Sequence, residues 1–471
     1  MIRQIINSKS SLFWTAFHVV LGVLSIYNKL FIIIWFYVVF LNEFSNILNI
    51  KKDFNVHLNY LIIYLASFEI LCRMSRTTPI IPYEISKYLL CALFLFGIFQ
   101  KFNKGTIGWV LLGLLLPAVF YDSSGEATFE NLVFNVMGGV DLALGVVYFR
   151  GQYINRNQFL NMLKLGMYPL IAVLSYAFIK TPEYEQIDFT LSANFDTSGG
   201  FGSNQVSTAL GLGIFLIVLQ LLSGRKISGN RILDFIFIIG FAFQGFLTFS
   251  RGGMTGSGLA ILTTLFWVTF SGSKSQTHTS FSIPKLGLYI IPLLIIGLLV
   301  FQTVDDISGN KLSLRYQGET AGTLAGSKDY DLNSFTSNRY NIFMSDIELW
   351  QEDVFFGKGV GASAYLRESV DDTATAAHVE LSRLLAEHGL LGLFYFIILL
   401  TLPIYTFRNN NDGFFRALLI GCFVIGIYSS FHSAMRTFVT PLLISVSQLT
   451  IADKQIKMKK KPITKLKFII K

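Results

Sequence analysis

Apolar runs of roughly 16 to 20 residues recur along this chain from Ser11 to Ala452, about fourteen of them. Each is close to the length of helix that crosses a hydrocarbon core at about 1.5 Å per residue. They fall near 11–27, 30–48, 57–72, 85–99, 106–121, 131–149, 159–179, 206–222, 232–249, 253–270, 286–304, 388–407, 414–430 and 435–452. A mean hydropathy of +0.54, with 52% hydrophobic and 14% charged residues, excludes a water-soluble globule. The expected fold is an all-α polytopic membrane protein with about 12–14 transmembrane helices. Arg3 and Lys9 precede a first run that has no small-residue cleavage site, so it reads as a span and not as a signal peptide.

Basic loops stay cytoplasmic. With the amino terminus inside, Lys51, Lys52, Lys101, Lys104, Arg150, Arg156, Arg225, Lys226, Arg231, Lys274, Lys285 and Arg408 all lie on one side. The tail agrees, with eight lysines from Lys454 to Lys471. An even number of spans with both ends inside therefore accounts for most of the +9 net charge. Such a lysine run after a span holds topology and touches anionic membrane lipids, and no nucleic-acid partner is expected. The opposite loops are acidic: Asp122, Glu126 and Glu130 in one, Glu183, Glu185, Asp188 and Asp196 in another, and fourteen acids against seven bases from Asp305 to Glu387. Cys72, Cys91 and Cys422 all sit in apolar runs without metal-ligand spacing and read as small core residues.

The stretch 305–387 is too long for a plain connector and is expected to form one large extracytoplasmic loop that carries function. Within it, Tyr340, Phe343, Ile347 and Trp350 recur at helical spacing, with Asp346, Glu348 and Glu352 turned away. Ser337 or Asn338 is expected to cap this helix, placing Arg339 at its start, where free backbone amides also attract anions. Gly357-Lys358-Gly359-Val360-Gly361 has no preceding strand and reads as a turn. A further helix is expected from near Ala376 into the membrane, with Arg383 and Glu387 paired at i, i+4 and His378 in its first turn.

Arg251 is the sharpest polar signal, because Ser250-Arg251-Gly252-Gly253 interrupts two apolar runs at a turn facing outside. A guanidinium at the edge of lipid needs a partner, and its planar donor fork suits a phosphate. The two glycines leave space for a close approach to the backbone. Asp141, Glu69 and Lys164 fall within or near spans as packing or relay candidates.

These features occur in a fixed order: Ser250-Arg251-Gly252-Gly253, Ser337-Asn338-Arg339 ahead of a helix with a tryptophan, a short glycine-rich stretch, then a histidine-led helix through Glu387-His388-Gly389-Leu390-Leu391-Gly392. The order resembles that of the bacterial O-antigen ligase and polymerase superfamily over roughly Asn204 to Gly392. The resemblance implies a GT-C-like membrane fold, catalysis at the outer face of the cytoplasmic (inner) membrane, and no metal or other cofactor. It implies an undecaprenyl-diphosphate-linked glycan as donor, and as acceptor another glycan, a lipid A core or a protein hydroxyl. A chain-length regulator is a further implied partner. The family's diphosphate-holding arginines fall on Arg251 and Arg339 and its loop histidine, the catalytic base, on His378. The position after that histidine, often an amide in the family, is Val379 here.

Three regions follow: amino-terminal transmembrane helices over 1–205, a ligase-like catalytic membrane domain over 206–452 that includes the external loop 305–387, and a basic cytoplasmic tail over 453–471. The expected chemistry is metal-independent, inverting glycosyl transfer in the making of a surface polysaccharide, with sugar contacts from the loop bearing Tyr316, Tyr330 and Tyr365. A flippase for the same lipid-linked glycan is the alternative. Fourteen spans suit it equally, but the polar residues gather at one external loop and one outer turn, with no repeat between the halves.

Overall fold

The computed structural model describes residues 1–49, 53–100, 105–270, 283–367 and 379–452, with backbone only at 283–286, 288 and 289. Among the described residues ten helices are long and apolar enough to cross a membrane, and Ile85–Gln100 and Thr106–Val119 are shorter apolar helices. The protein is an all-α polytopic membrane protein. The two tightly spaced pairs of runs resolve into separate helices, Ser11–Tyr27 and Leu30–Asn49, then Arg231–Leu247 and Arg251–Phe270.

Successive helices run in opposite directions, so the bundle has two ends, and side-chain contacts fix which residues share each. At one end the start of helix Ser203–Leu222 meets the turn before Arg251, through the Ser207 hydroxyl on Ser250 O at 2.9 Å. The end of helix Gly413–His432 joins them, with His432 Nε2 2.8 Å from Thr208 Oγ1. At the other end Lys164 Nζ donates to Ser11 Oγ at 2.7 Å, Arg156 pairs with Asp412 at 2.7 Å, and Tyr153–Ile154 pairs in parallel with Thr450–Ile451. Arg150, Arg156, Arg225, Arg231 and Arg408 all flank helix termini at this second, basic end. The amino terminus and Ala452 lie there together, as an even number of crossings requires.

The last apolar run, expected as a span over 435–452, is not a transmembrane helix. Only Val439–Val446 is helical, about 12 Å of rise, and the chain covers the remaining depth in non-helical backbone. Such backbone is tolerated at membrane depth when protein surrounds it and its polar groups are satisfied. Both conditions hold. Residues 433–451 are buried apart from the half-buried Arg436. The Met435 amide donates to Glu380 Oε2 at 3.1 Å, the Phe438 amide donates to Glu69 Oε2 at 2.7 Å, and Arg436 O accepts from Arg73 at 3.1 Å. Gly138 and Gly145 on helix Phe129–Phe149 let the segment lie close, since a Cβ at Gly138 would stand 2.6 Å from Met435 O and one at Gly145 would meet Ser445 Oγ. Hydropathy alone reads this segment as a span because its apolar content is the same; the break lies in backbone hydrogen bonds to acids that are far away in sequence.

The segment from Ser308 to Arg367 folds over the first end of the bundle as short helices, Lys311–Gln317, Ala321–Leu324, Leu332–Thr336 and Ser363–Leu366, around the longer Arg339–Glu352. Helix Glu380–Asn409 then returns through the bundle. It is broken at Gly389, whose φ of 60° and ψ of −140° lie where only glycine sits without strain.

Candidate functional site

Arg251 opens its helix two residues after Phe249, which has φ of +53°, so the chain turns sharply between two spans as the sequence predicts. Ser250 Oγ donates to Asn204 Oδ1 at 2.7 Å, and the Gly253 amide donates to Ser207 Oγ at 3.1 Å. Protein fills the space that a side chain would take at both glycines. A Cβ at Gly252 would collide with the His432 ring, and one at Gly253 with the Ser207 backbone. Small residues are required because protein packs there.

The Arg251 guanidinium donates to Phe335 O and, at 3.0 Å, to Ser337 Oγ, and lies 5.4 Å from the centre of the Phe335 ring. Arg251 therefore ties the transmembrane turn to the segment from Ser308 to Arg367. Ser337 and Asn338 do not cap the helix they precede. Both sit in the left-handed region, at φ of +57° and +64°, and neither side chain reaches the first-turn amides. Ser337 is occupied by Arg251, and Asn338 Oδ1 accepts from Asn333 at 3.1 Å. Arg339 nevertheless begins the helix, as expected.

Arg251 and Arg339 line one cavity of about 510 Å³, together with Gly252, Thr255, Tyr316, Phe335, Thr336, Tyr340, Phe343, Val379, Tyr428, Phe431 and His432. The predicted stripe of helix Arg339–Glu352 thus supplies Tyr340 and Phe343 to the cavity wall. The helix docks through another face, with Leu349 and Asp346 buried. Asp346, expected to point to solvent, accepts from Arg367 at 2.7–2.8 Å and from Ser382 Oγ at 2.7 Å. A carboxylate that has two donors on neighbouring elements is buried readily, and spacing alone does not reveal those donors.

The cavity is cationic without a compensating anion. Among the described residues Arg251, Arg315 and Arg339 have no carboxylate within 4.0 Å, and no acid lines the cavity. Burial, with Arg251 and Arg339 close by, pulls the Arg315 guanidinium down to about 10 from its ordinary 12.5. Burial and then Arg251 act in the same direction on Arg339. Like charges held together in a partly desolvated space favour any anion that enters. Burial also pushes the Tyr316 phenol up, so it remains a neutral donor, and its buried hydroxyl has no partner among the described residues.

His378 lies outside the described residues; Val379, which follows it in sequence, is part of the cavity wall. His432 is the histidine the sequence reading missed. Its Nε2 meets Thr208 Oγ1 and its Nδ1 lies 3.4 Å from Tyr428 O, while its ring fills the space beside Gly252. The signal was a cluster of polar residues, Ser429 to Ser433, at the end of an apolar run. Of the three tyrosines expected at sugar, Tyr316 alone lines this cavity; Tyr330 donates to Gln317 O at 2.6 Å, and the Tyr365 hydroxyl is held by Asn131.

A second cavity of about 710 Å³ lies on the other side of the Phe335–Asn338 segment, lined by Arg315, Lys328, Asp329, Asp331, Asn333 and Asn338 among others. Its walls are polar where the first cavity's are aromatic.

The remaining motifs are structural. Arg383 pairs with Glu387 at 2.6 Å, as its spacing predicts, and also with Glu380. Gly389 lets the Leu390 amide reach Val354 O at 2.8 Å. The glycine-rich turn clamps the same break, with Lys358 N on Ala386 O at 2.7 Å and Gly359 N on Glu387 O at 3.1 Å. Glu69 pairs with Arg73, and the buried Asp141 carboxylate has no hydrogen-bond partner among the described residues.

Paired cations above aromatic walls, at one end of a transmembrane bundle, define a site suited to an amphiphilic anion. Residues 235–397 match the family model described as O-antigen ligase. The match supports the O-antigen ligase and polymerase superfamily, and with it an enzymatic role in surface polysaccharide biosynthesis. It includes Arg251, Arg315, Arg339 and His378 but ends before Tyr428 and His432. No curated protein and no solved structure matches the chain.

Proposed function

We propose that the protein transfers or polymerises an undecaprenyl-diphosphate-linked glycan at the outer face of the cytoplasmic membrane, with Arg251 and Arg339 as the diphosphate-binding groups. The convergence of these two arginines, without a carboxylate, on one aromatic-walled cavity carries the reading. Phe343 and Phe431 suit the isoprenoid beside the diphosphate, and the polar second cavity suits a hydrated glycan. The basic end of the bundle faces the cytoplasm under the positive-inside rule, so the cavity end faces out. Residues 206–452 form the catalytic unit in this reading, beside the amino-terminal helices 1–205 and the tail 453–471.

In the reaction the acceptor hydroxyl oxygen attacks the anomeric carbon from the face opposite the diphosphate. The carbon–oxygen bond to the diphosphate breaks, and undecaprenyl diphosphate leaves with the bonding electrons. Arg251 and Arg339 stabilise the charge that develops on it, where the low dielectric strengthens the attraction. His378 takes the hydroxyl proton, the task of a general base, for which histidine is the usual side chain. Configuration inverts, and no metal is needed because the arginines supply the neutralising charge.

The acceptor is read from surface glycans of a strain lacking the protein, complemented with wild type or Arg339→Ala. Single repeat units on the lipid core in the deletion strain indicate a polymerase; bare core with long chains left on the carrier indicates a ligase. Wild type restores the normal profile and Arg339→Ala does not. An unchanged profile in the deletion strain contradicts the proposal.

A further inference from the structure

The basic end of the bundle holds a cavity of its own, of about 540 Å³, whose lining includes Ser11, Asn157, Asn161, Lys164, Arg225 and Lys226. It lies at the opposite end of helix Ser203–Leu222 from the arginine cavity, about 30 Å away for 20 residues of helix. Lys164 is only 5% exposed, eight residues into helix Arg156–Lys180 and so about 12 Å below the start of that helix. Its ammonium donates to Ser11 Oγ at 2.7 Å and reaches Ile6 O at 3.4 Å. Arg225 is held in plane by two amide oxygens, Nη1 on Asn161 at 2.9 Å and Nη2 on Asn157 at 2.6 Å. Lys226 is exposed at the rim.

None of these three cations has a carboxylate within 4.0 Å among the described residues. Asp234 lies near Lys164, and its two oxygens are taken by the Ile227 and Ser228 amides at 3.0 and 2.8 Å. A buried ammonium is costly without an anion. Here neutral oxygens orient the cations and leave their charge available, and the fixed guanidinium fork matches phosphate oxygens. The cavity thus runs from the exposed Lys226 at its rim to Lys164 about 12 Å below the helix start.

We propose that this cavity binds a phosphate group, with Lys164 beneath it and Arg225 and Lys226 at its sides. The phosphate of an anionic phospholipid in the leaflet at the basic end and a free phosphate ion present the same chemistry. The site is separate from the arginine cavity, so it stands whether or not the catalytic proposal does.

The test uses the full chain, purified in detergent and incubated with phosphatidylglycerol, with phosphatidylcholine or with inorganic phosphate; bound lipid is counted by native mass spectrometry and thermal stability is recorded in parallel. Wild type is expected to retain phosphatidylglycerol over phosphatidylcholine, with retention falling at least tenfold in Arg225→Gln/Lys226→Gln. Lys226→Glu, at the exposed rim, reports the same loss without touching buried packing, and Arg231→Gln, exposed at the same end but outside the cavity, leaves retention unchanged. Stabilisation by inorganic phosphate alone, lost in the same variants, assigns the site to the soluble ion. Equal lipid retention and equal phosphate response in wild type and both cavity variants overturn the proposal.

Discussion

Replacing Arg251 with alanine is expected to lower glycan transfer about 10²–10³-fold, the usual effect of removing one charge-stabilising donor from a water-poor site, while the protein remains inserted. Insertion survives because Arg251 has no carboxylate partner, so its loss strands no opposite charge. Arg251→Lys should recover little, since lysine keeps the charge but not the fork that spans Phe335 O and Ser337 Oγ. Arg339→Ala separates anion binding from loop anchoring: its guanidinium makes no hydrogen bond among the described residues, so a comparable loss there traces to the missing charge. Activity is followed as transfer of labelled glycan in membranes, normalised to the amount of inserted protein. Full transfer by Arg251→Ala would remove it from the mechanism.

The second large effect is on stability. Glu69 is wholly buried, pairs with Arg73 and accepts the Phe438 amide at 2.7 Å. Glu69→Ala leaves the Arg73 guanidinium, 1% exposed, with Glu84 at 3.3 Å as its remaining acid, and it orphans an amide in the broken crossing. Removing one partner of a buried pair costs about 3–5 kcal/mol. The thermal midpoint and the monodisperse fraction in detergent should fall sharply, and Glu69→Gln, which keeps an acceptor for Phe438, should fall less. A wild-type midpoint for Glu69→Ala would show that the broken segment stands without its carboxylate anchors.

Much of this molecule is legible in its sequence. Span length and hydropathy give the helices and their alternation, and the sorting of lysine and arginine gives the end at which the amino terminus and Ala452 lie. The arginine at the turn between two spans and the arginine opening the loop helix were readable because a guanidinium at the edge of lipid has few structural excuses. What stayed hidden depends on partners far apart in the chain. His432 reaches the site only because Thr208 and Gly252 pack beside it, 224 and 180 residues earlier. Asp346 has the same exposed pattern as Glu348 until Arg367 and Ser382 are brought to it. The last crossing has the composition of a helix, yet it breaks where Glu69 and Glu380 offer better acceptors to its amides than its own carbonyls do. The glycines after Arg251 are legible as close approaches, but what approaches Gly252 is protein, the His432 ring, and the approach of Phe355 O to Gly389 has no counterpart in the sequence reading.

The measurement that bears most directly on the arginine cavity compares two ligands that differ only in their head. Purified wild type and Arg251→Ala/Arg339→Ala are each titrated with undecaprenyl diphosphate and with undecaprenol, and the thermal midpoint is read. A diphosphate-dependent rise in wild type that is absent with the alcohol, and absent from the double variant, is the predicted result. An equal rise with both lipids, or a diphosphate response that survives loss of both arginines, would contradict the assignment of the cavity to a lipid-linked diphosphate.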